Sequence, residues 1–515
     1  MNMQLNRAMF DADDAVARHE RKSLLRFIVC GSVDHGKSTL IGRLLFESGL
    51  VLSDQLQALA PNGPRDGNQN DEIDFSLLLD GLAAEREQKI TIDVAYRFFA
   101  TERRKYIVAD APGHEQYTRN MATGASTADL ALLLVSAADG LTRQTRRHAI
   151  IVSTLGVRRF VVAVNKMDLV DWSESRFTEL QAEFRAFFRD LDLGEVTFIP
   201  LSARQGENLV RASRHMPWYE GPSLLEFLET VEVGSERKRT GFRMAVQYVN
   251  RPDSTFRGYC GLVTSGEAYP GMPVEAQPSG QHTRIERIVT SDGDLAHAST
   301  GQAVTLVLAD DIDLSRGDLV SDCNEPAIVA DRFAAGLVWI GPEALAAGHS
   351  YLLKLAAVTA MATVEQPFTI VDLENNSSGL ATCLTANDIG TAVMRLDRLV
   401  AVDRYADNPD TGSFILIDSE TGDTVALGVV EAVKPSVRRA ARNFRLVTSM
   451  DTRARSIAKA ISWRASGSFD TFVLAALITG NAKVASGVAL AEIFTKIALY
   501  YVHERVWGLI PWGRR

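Results

Sequence analysis

The stretch GSVDHGKST, at residues 31–39, has the composition of a phosphate-binding loop. It fits the pattern G-x-x-x-x-G-K-[ST], in which glycines let backbone N–H groups approach phosphate oxygens. The lysine neutralises the β- and γ-phosphates of a nucleoside triphosphate, and the serine hydroxyl binds Mg²⁺. The predicted nucleotide contacts are Gly31, Ser32, Val33, Asp34, His35, Gly36, Lys37, Ser38 and Thr39.

A second motif, NKMD at 165–168, indicates which base is bound. A carboxylate at Asp168 can accept hydrogen bonds from both the ring N–H and the exocyclic amine of guanine, and adenine has no such pair of donors. A buried acceptor without a partner would reject ATP strongly. The sequence therefore predicts guanine specificity. The predicted contacts are Asn165, Lys166, Met167 and Asp168, together with Ser202 and Ala203 of a downstream SA dipeptide.

Hydrolysis of the terminal phosphate requires a carboxylate on the metal side and a group that positions water. The stretch DAPGH supplies both, as Asp110 and His114. Thr91, in REQKITID, is the candidate for a switch loop that closes on Mg²⁺ and the γ-phosphate, with a plain strand threonine as the alternative. The predicted catalytic residues are Lys37, Thr91 and His114, the predicted Mg²⁺ ligands are Ser38, Thr91 and Asp110, and the remaining predicted contacts are Ala111, Pro112 and Gly113.

These motifs require a strand, a glycine loop and a helix in that order. An apolar run at 25–30 precedes the loop, and apolar residues at helical spacing follow it. Further apolar runs alternate with helical stretches up to about residue 235, at 106–110, 130–137, 159–166 and 196–203. This alternation predicts an α/β P-loop GTPase domain, a parallel sheet with helices on both faces.

After residue 240 the chain changes to short β-branched runs interrupted by glycines, which is typical of a barrel or a sandwich. We therefore predict two β-domains after the α/β domain, and a helical hairpin at the C-terminus. The resemblance of the motifs to translation-factor GTPases implies that both β-domains are barrels. The predicted divisions are an N-terminal extension at 1–24, a GTP-binding domain at 25–235, β-barrel domains at 238–327 and 330–433, a basic linker at 434–455 and an apolar hairpin at 456–515.

The hairpin contains two apolar stretches, and the second, at 484–502, approaches the roughly 20 residues that a bilayer span requires. Glu492 and Lys496 stand four residues apart and can pair, which lowers the cost of burying them. Aromatic residues and arginines near the outer ends favour a hairpin with both ends in the cytoplasm. The tail also resembles a small membrane domain of unknown function, and we expect membrane contact. An amphipathic pair packed on the β-domains or on a partner is the alternative.

Composition limits the partners and the location. The net charge of -9 argues against binding nucleic acid through an overall positive potential, so no nucleic-acid partner is predicted. The first 22 residues include acidic side chains and lack the apolar core of a signal peptide. We expect a cytoplasmic protein, attached by its tail to the cytoplasmic face of the inner membrane.

Together the motifs resemble the translation-factor class of GTPases over residues 25 to about 433. Within that class, the runs at 80–99, 110–140 and 144–170 are most similar to the GTPase subunits of bacterial sulfate adenylyltransferases. The resemblance implies that GTP and Mg²⁺ are the cofactors. It also implies that GTP hydrolysis drives formation of adenylyl sulfate and pyrophosphate on a separate small catalytic subunit, which binds ATP and sulfate.

Two residues depart from that family. His35 stands where the family usually has aspartate, and translation elongation factors carry histidine there. Lys89 stands where a glycine normally precedes ITID, at a backbone position that can require positive φ. Two alternatives therefore stay open: an elongation-factor-like carrier of aminoacyl-tRNA, and a membrane-tethered regulatory GTPase.

Overall fold

The computed structural model describes residues 22–49, 75–78, 91–233 and 241–433, apart from 190, 192, 195, 254, 255, 346, 375 and 376. Most of the predicted N-terminal extension, Lys89, the whole basic linker and the predicted C-terminal hairpin lie outside these residues. Within the described ranges, no helix has the length and apolar character that a membrane crossing requires.

The first domain is built on a six-stranded sheet with the spatial order β2-β3-β1-β4-β5-β6. Five strands run parallel, whereas the edge strand β2 runs antiparallel to β3. The reason is that only three residues join β2 to β3, too few for a crossover connection. The strands are β1 (Ser23–Gly31), β2 (Ala95–Ala100), β3 (Arg104–Asp110), β4 (Leu130–Ser136), β5 (Arg159–Asn165) and β6 (Val196–Pro200).

Helices cover both faces of this sheet, because each face contributes its own apolar cluster. Met121, Ile150 and Phe184 pack into one cluster, and Leu40 and Leu224 into the other. The α/β prediction is confirmed. The helices are α1 (Lys37–Glu47), α2 (Thr118–Ala125), α3 (Arg143–Thr154), α4 (Glu174–Phe188) and α5 (Leu224–Thr230), and short 3-10 turns lie at Phe75–Leu78, Glu115–Tyr117 and Met167–Val170.

Two closed antiparallel barrels follow, so the barrel prediction is confirmed and the sandwich alternative is not. In the first, strands β11-β16-β7-β9-β15-β12 are neighbours in that order, and β12 pairs with β11 to close the barrel. The strands are β7 (Arg243–Ala245), β8 (Tyr248–Asn250), β9 (Gly258–Ser265), β10 (Glu267–Ala268), β11 (Pro273–Gln277), β12 (Gln281–Thr290), β13 (Gly293–Leu295), β14 (Ala298–Ser299), β15 (Ala303–Leu308) and β16 (Leu319–Asp322).

The second barrel closes in the same way, with the order β18-β22-β23-β17-β21-β19 and a pairing of β19 with β18. Its interior holds large side chains such as Trp339, Phe333 and Phe414. The elements are β17 (Ile328–Trp339), β18 (Ser350–Leu355), β19 (Val358–Asp372), β20 (Ser377–Ala381), β21 (Ile389–Val402), α6 (Pro409–Gly412), β22 (Ser413–Ile417) and β23 (Thr424–Val433).

The second barrel contacts both other domains. A buried ion pair joins it to the first barrel, with Arg243 Nε 3.0 Å from Asp403 Oδ2 and both side chains less than a tenth exposed. Toward the α/β domain, the Tyr405 hydroxyl donates to the carbonyl oxygen of Leu155, just after α3. Arg119 of α2 donates to the carbonyl oxygen of Thr424 at 2.7 Å. Helices α2 and α3 therefore lie between the nucleotide motifs and the second barrel.

Candidate functional site

The glycine-rich loop connects the end of β1, at Gly31, to the start of α1, at Lys37. Asp34 and Gly36 have positive φ angles of 63° and 88°. A Cβ atom at Gly36 would stand only 2.7 Å from Asn165 Nδ2, so this position needs glycine for space as well as for φ. Consecutive left-handed and right-handed residues turn backbone N–H groups toward one point, which forms an anion-binding concavity at a helix N-terminus.

Lys37 supplies the charge at this concavity. Its side chain is buried, and Nζ donates to the carbonyl oxygens of Gly31, at 3.1 Å, and Ser32, at 2.9 Å. Burial lowers the pKa of Lys37, and the nearby carboxylate of Asp110 acts in the opposite direction. A bound phosphate would oppose the effect of burial in the same way, because it stabilises the ammonium form.

The DAPGH segment packs directly on this loop. Asp110 ends β3 and is buried, and the next residue, Ala111, donates its N–H to Val29 O at 3.2 Å. Pro112 and Gly113 are also buried. A Cβ atom at Gly113 would collide with Lys37 Nζ and stand 2.9 Å from the backbone nitrogen of Val33, so a side chain here would displace the lysine or the loop. The structure thus brings the predicted metal-side carboxylate, Asp110, and the lysine of the phosphate loop, Lys37, into one site.

His114 begins the short 3-10 turn that follows. Its Nδ1 accepts a hydrogen bond from the N–H of Gln116 at 3.3 Å, and its carbonyl oxygen accepts from Tyr117 N at 3.0 Å. Because Nδ1 is the acceptor, the neutral ring carries its proton on Nε2. In this orientation Nε2 can donate to a water oxygen but cannot remove a proton from it.

The base-recognition motifs lie at the carboxyl ends of β5 and β6. Asn165 is buried, and its Nδ2 donates to His35 O at 2.8 Å while its Oδ1 accepts from Ala203 N at 2.9 Å. One amide therefore ties the phosphate loop to the SA segment. Lys166 adopts φ +61°, and Met167 N donates to Leu201 O at 3.3 Å, which directs Asp168 outward in the following 3-10 turn.

A cavity of about 450 Å³ opens between these segments. Most of its lining residues are those predicted from the sequence. Phe75, Leu169 and Arg204 also line it, although the sequence motifs do not include them. The full lining is Gly36, Thr39, Phe75, Asn165, Lys166, Asp168, Leu169, Ser202, Ala203 and Arg204.

His35, which departs from the family pattern, is buried. Its Nδ1 lies 3.0 Å from Leu134 O, and its Nε2 lies 3.9 Å from an Asp139 carboxylate oxygen. Burial lowers the pKa of His35, so the neutral ring with its proton on Nδ1 fits this position. The ring thus binds β4 while the His35 carbonyl oxygen accepts from Asn165.

Ser32 and Val33, in the loop, and Ser38, in the first turn of α1, are partly buried.

Thr91 is a predicted site residue for which the structure shows no contact with the loop. It lies in an irregular segment before β2, and no hydrogen bond of its side chain is found within the described part of the chain. Its closure on Mg²⁺ stays a prediction.

His148 contacts the phosphate loop, and the sequence motifs do not include it. It lies on α3, is fully buried, and its Nδ1 accepts from Gly31 N at 3.1 Å. Burial, reinforced by the charges of Lys37 and Arg147, lowers the pKa of His148 to about 3. The sequence signal that could have found it is the stretch QTRRH, in which the histidine stands at helical spacing from two polar residues. This spacing does not indicate a contact with a loop more than a hundred residues away.

Comparison with known proteins agrees with this geometry. Residues 22–234 match the family described as "Elongation factor Tu GTP binding domain", and residues 332–431 match "GTP-eEF1A C-terminal domain-like". Sulfate adenylyltransferase subunit 1 of Methylorubrum extorquens is 51% identical over 447 residues, which are 87% of this chain and 95% of the relative. The chain belongs to the sulfate adenylyltransferase subunit 1 family. The resemblance read from the sequence is confirmed.

A second relative with the same description, from Laribacter hongkongensis, is 47% identical over 82% of this chain and 88% of the relative. Among solved structures, Sup35 complexed with GMPPNP is 25% identical over 80% of this chain and 95% of that chain, with a TM-score of 0.36. Residues 457–508 match a family described as "Predicted membrane protein". The chain is therefore an enzyme subunit with a GTPase domain, and its tail matches a different family.

Proposed function

We propose that this chain hydrolyses GTP and uses the energy to drive adenylyl sulfate formation on a separate catalytic subunit. In that reaction sulfate attacks the α-phosphate of ATP, so that an S–O–P bond forms, and pyrophosphate leaves. The observation that carries the proposal is the assembled GTPase site in a chain about half identical to sulfate adenylyltransferase subunit 1 along most of its length. The small catalytic subunit, which binds ATP and sulfate, is the proposed partner.

The base end of the cavity supports guanine selectivity. Asp168 lines it beside Asn165, which is fixed by its two backbone hydrogen bonds. Loss of the guanine exocyclic amine removes one charge-assisted hydrogen bond, so inosine triphosphate should bind about tenfold or more weakly than GTP. ATP should bind at least about a thousandfold more weakly than GTP.

Competition against a fluorescent GDP analogue measures this selectivity. Asp168→Ala should remove most of the difference between GTP and inosine triphosphate. Asp171→Ala is the matched control, because Asp171 is exposed nearby and does not line the cavity. Equal binding of GTP and inosine triphosphate to the unaltered protein would contradict the role of Asp168.

At the other end, Lys37 and His114 are the proposed hydrolytic residues, with Thr91 on a closing switch loop. Lys37 stabilises charge that develops on the β- and γ-phosphates, and His114 orients the attacking water through Nε2–H. The hard oxygen donors that Mg²⁺ prefers are present as the Ser38 hydroxyl and the Asp110 carboxylate, beside the Lys37 ammonium. Mg²⁺ bound there would neutralise phosphate charge.

The energy-coupling proposal is tested with the full chain and its catalytic subunit. We expect adenylyl sulfate to form faster with GTP than with a non-hydrolysable GTP analogue. His114→Ala should remove this difference and leave GTP binding intact, because the residue acts on water and not on the base. Equal rates with GTP and the analogue would show that hydrolysis is not coupled to sulfate activation.

We also propose that the domain divisions predicted from the sequence hold, with residues 456–515 attaching the chain to the cytoplasmic face of the inner membrane. The match of 457–508 to a predicted membrane family supports the attachment. Carbonate washing of membranes from cells that express the full chain tests it, with a chain ending at residue 436 as the control. Release of the full chain by carbonate would contradict the spanning hairpin.

A further inference from the structure

Helix α3 presents a strip of polar side chains to the interior of the α/β domain. Gln144, Arg147 and His148 stand at positions i, i+3 and i+4 and therefore share one face of the helix. The helix begins after Thr142, whose hydroxyl accepts from Thr145 N at 3.2 Å. This N-cap fixes the first turn of the helix and thus the place of the strip.

One end of the strip holds the start of the phosphate loop. His148 accepts from the N–H of Gly31, which is the last residue of β1. Gln144 Nε2 lies 2.9 Å from His148 Nε2, on the opposite edge of the ring. Since His148 is fully buried and accepts from Gly31 N, α3 contacts the start of the phosphate loop directly at this point.

The other end of the strip holds the turn that His114 begins. Arg147 Nη1 lies 3.0 Å from Glu115 Oε2 and 2.9 Å from Gln144 Oε1. The Arg147 side chain is only 8% exposed, whereas that of Glu115 is 61% exposed. The hydrogen bond from Arg147 lowers the pKa of Glu115, so the carboxylate is charged at neutral pH.

Glu115 is rigidly linked to His114. It is the first residue of the 3-10 turn that His114 caps, and the Thr118 hydroxyl donates to the Glu115 carbonyl oxygen at 2.6 Å, which leads the turn into α2. A guanidinium fixed by burial loses little further side-chain freedom when it binds a carboxylate. The anchored partner is Arg147, and the exposed carboxylate is the part that it orients.

We propose that Arg147 is a positioning residue for GTP hydrolysis. It holds Glu115, and thereby the His114 ring, in a fixed place relative to the phosphate loop that the same helix holds through His148. The inference rests on the proposed role of His114 in orienting water. It assigns a function to a residue that does not line the base cavity.

Single-turnover GTP hydrolysis by the full chain, together with the Kd values of GTP and GDP, tests this role. For Arg147→Ala we expect the hydrolysis rate to fall about tenfold to a hundredfold, because small displacements of a catalytic group have effects of that size. The Kd values of both nucleotides should change less than about threefold, since the residue does not line the base cavity. Arg147→Lys should recover part of the rate.

Arg146→Ala is the matched control. Arg146 is the neighbouring residue on the same helix, but its guanidinium lies 3.5 Å from Glu183 on α4 instead of the His114 turn. Its hydrolysis rate should stay within about twofold of the unaltered protein. Glu115→Ala is the second test variant, because a mostly exposed side chain can be removed without loss of folding.

The double variant Arg147→Ala/Glu115→Ala should hydrolyse GTP no more slowly than the slower single variant, because both substitutions break one contact. Unchanged hydrolysis in Glu115→Ala and Arg147→Ala would overturn the inference, and so would a parallel loss of rate and nucleotide affinity. His114→Ala separates the two levels. If it slows hydrolysis while the Arg147 and Glu115 variants do not, only the positioning role fails; if it has no effect, the proposed role of His114 fails first.

Discussion

The two ends of the nucleotide site are held in different ways. At the base end, one buried amide, that of Asn165, binds the backbone of two separate segments, and no charged group takes part in these bonds. At the hydrolysis end, the His114 turn is held by an ion pair whose carboxylate is mostly exposed. The first arrangement is short-range and shielded from water, whereas the second depends on a charge at the surface.

This difference has a consequence for function. Buried hydrogen bonds to backbone groups are costly to break, so the base end keeps its shape whichever nucleotide is bound. The ion pair that holds the His114 turn has a mostly exposed carboxylate and adds little to the free energy of folding, so a partner that competes for Glu115 could displace it at low cost. Affinity is therefore assigned to the base end, and the step that a partner could control to the hydrolysis end.

The largest expected effect follows from Asn165→Ala. The substitution leaves His35 O and Ala203 N buried without their partner, and each such group costs about 1–3 kcal/mol. We expect the free energy of unfolding to fall by about 2–5 kcal/mol, and GTP and GDP to bind at least about tenfold more weakly. Urea unfolding and calorimetric titration measure the two quantities.

Asn324→Ala is the control for this substitution, because Asn324 bonds only at the surface, to Asp322 within the described residues. Its unfolding midpoint should match that of the unaltered protein. If Asn165→Ala lowers the free energy of unfolding by less than about 0.5 kcal/mol, the two hydrogen bonds of Asn165 do not make the base end rigid.

The next largest expected effect is that of pH on the free energy of unfolding, through His148. Burial lowers the pKa of His148 from 6.5 to about 3, so the unfolded chain binds more protons than the folded chain between these pH values. The contribution of His148 to stability is therefore complete above pH 6.5 and falls as the pH decreases toward 3. At pH 5.5 the loss from this group is about 1 kcal/mol.

His148→Gln should remove this part of the pH dependence, because the glutamine oxygen can accept from Gly31 N and does not titrate near neutral pH. The measurement is urea unfolding at pH 7.5 and 5.5. His297→Gln, at an exposed position, should leave the difference between the two pH values unchanged. An identical pH difference in His148→Gln would mean that other groups cause the loss.

The structure places most residues predicted for the base end around one cavity, whereas it joins only part of those predicted for the hydrolysis end. Local sequence determines the strand ends, the glycine positions and the NKMD turn, because each depends on residues close together in the chain. The contacts of His148 with Gly31 and of Arg147 with Glu115 join residues 117 and 32 positions apart. A single sequence gives no measure of which face of α3 meets which loop, and these contacts were therefore not predicted.

The same reasoning explains the successes and errors in the fold. The apolar runs located all five parallel strands to within three residues, because a buried strand must be apolar on both faces. The edge strand β2 was not among the predicted apolar runs, since most of its residues are exposed or only partly buried. The glycines after residue 240 indicated β-domains, but closure and the order of the strands depend on long-range pairing.

The smallest expected effect is that of Arg204→Ala. Arg204 lines the base cavity from the exposed side, and a guanidinium over an aromatic base contributes about 0.5–1 kcal/mol at such a position. GTP and GDP should therefore bind about two- to fivefold more weakly, by the same factor for both, with an unchanged hydrolysis rate. Fluorescent GDP displacement measures the affinities, and single-turnover hydrolysis measures the rate.

Arg211→Ala is the control, because Arg211 is exposed but lies outside the cavity lining. A slower hydrolysis rate in Arg204→Ala would show that the base end and the hydrolysis end are coupled, against the separation that their contacts indicate.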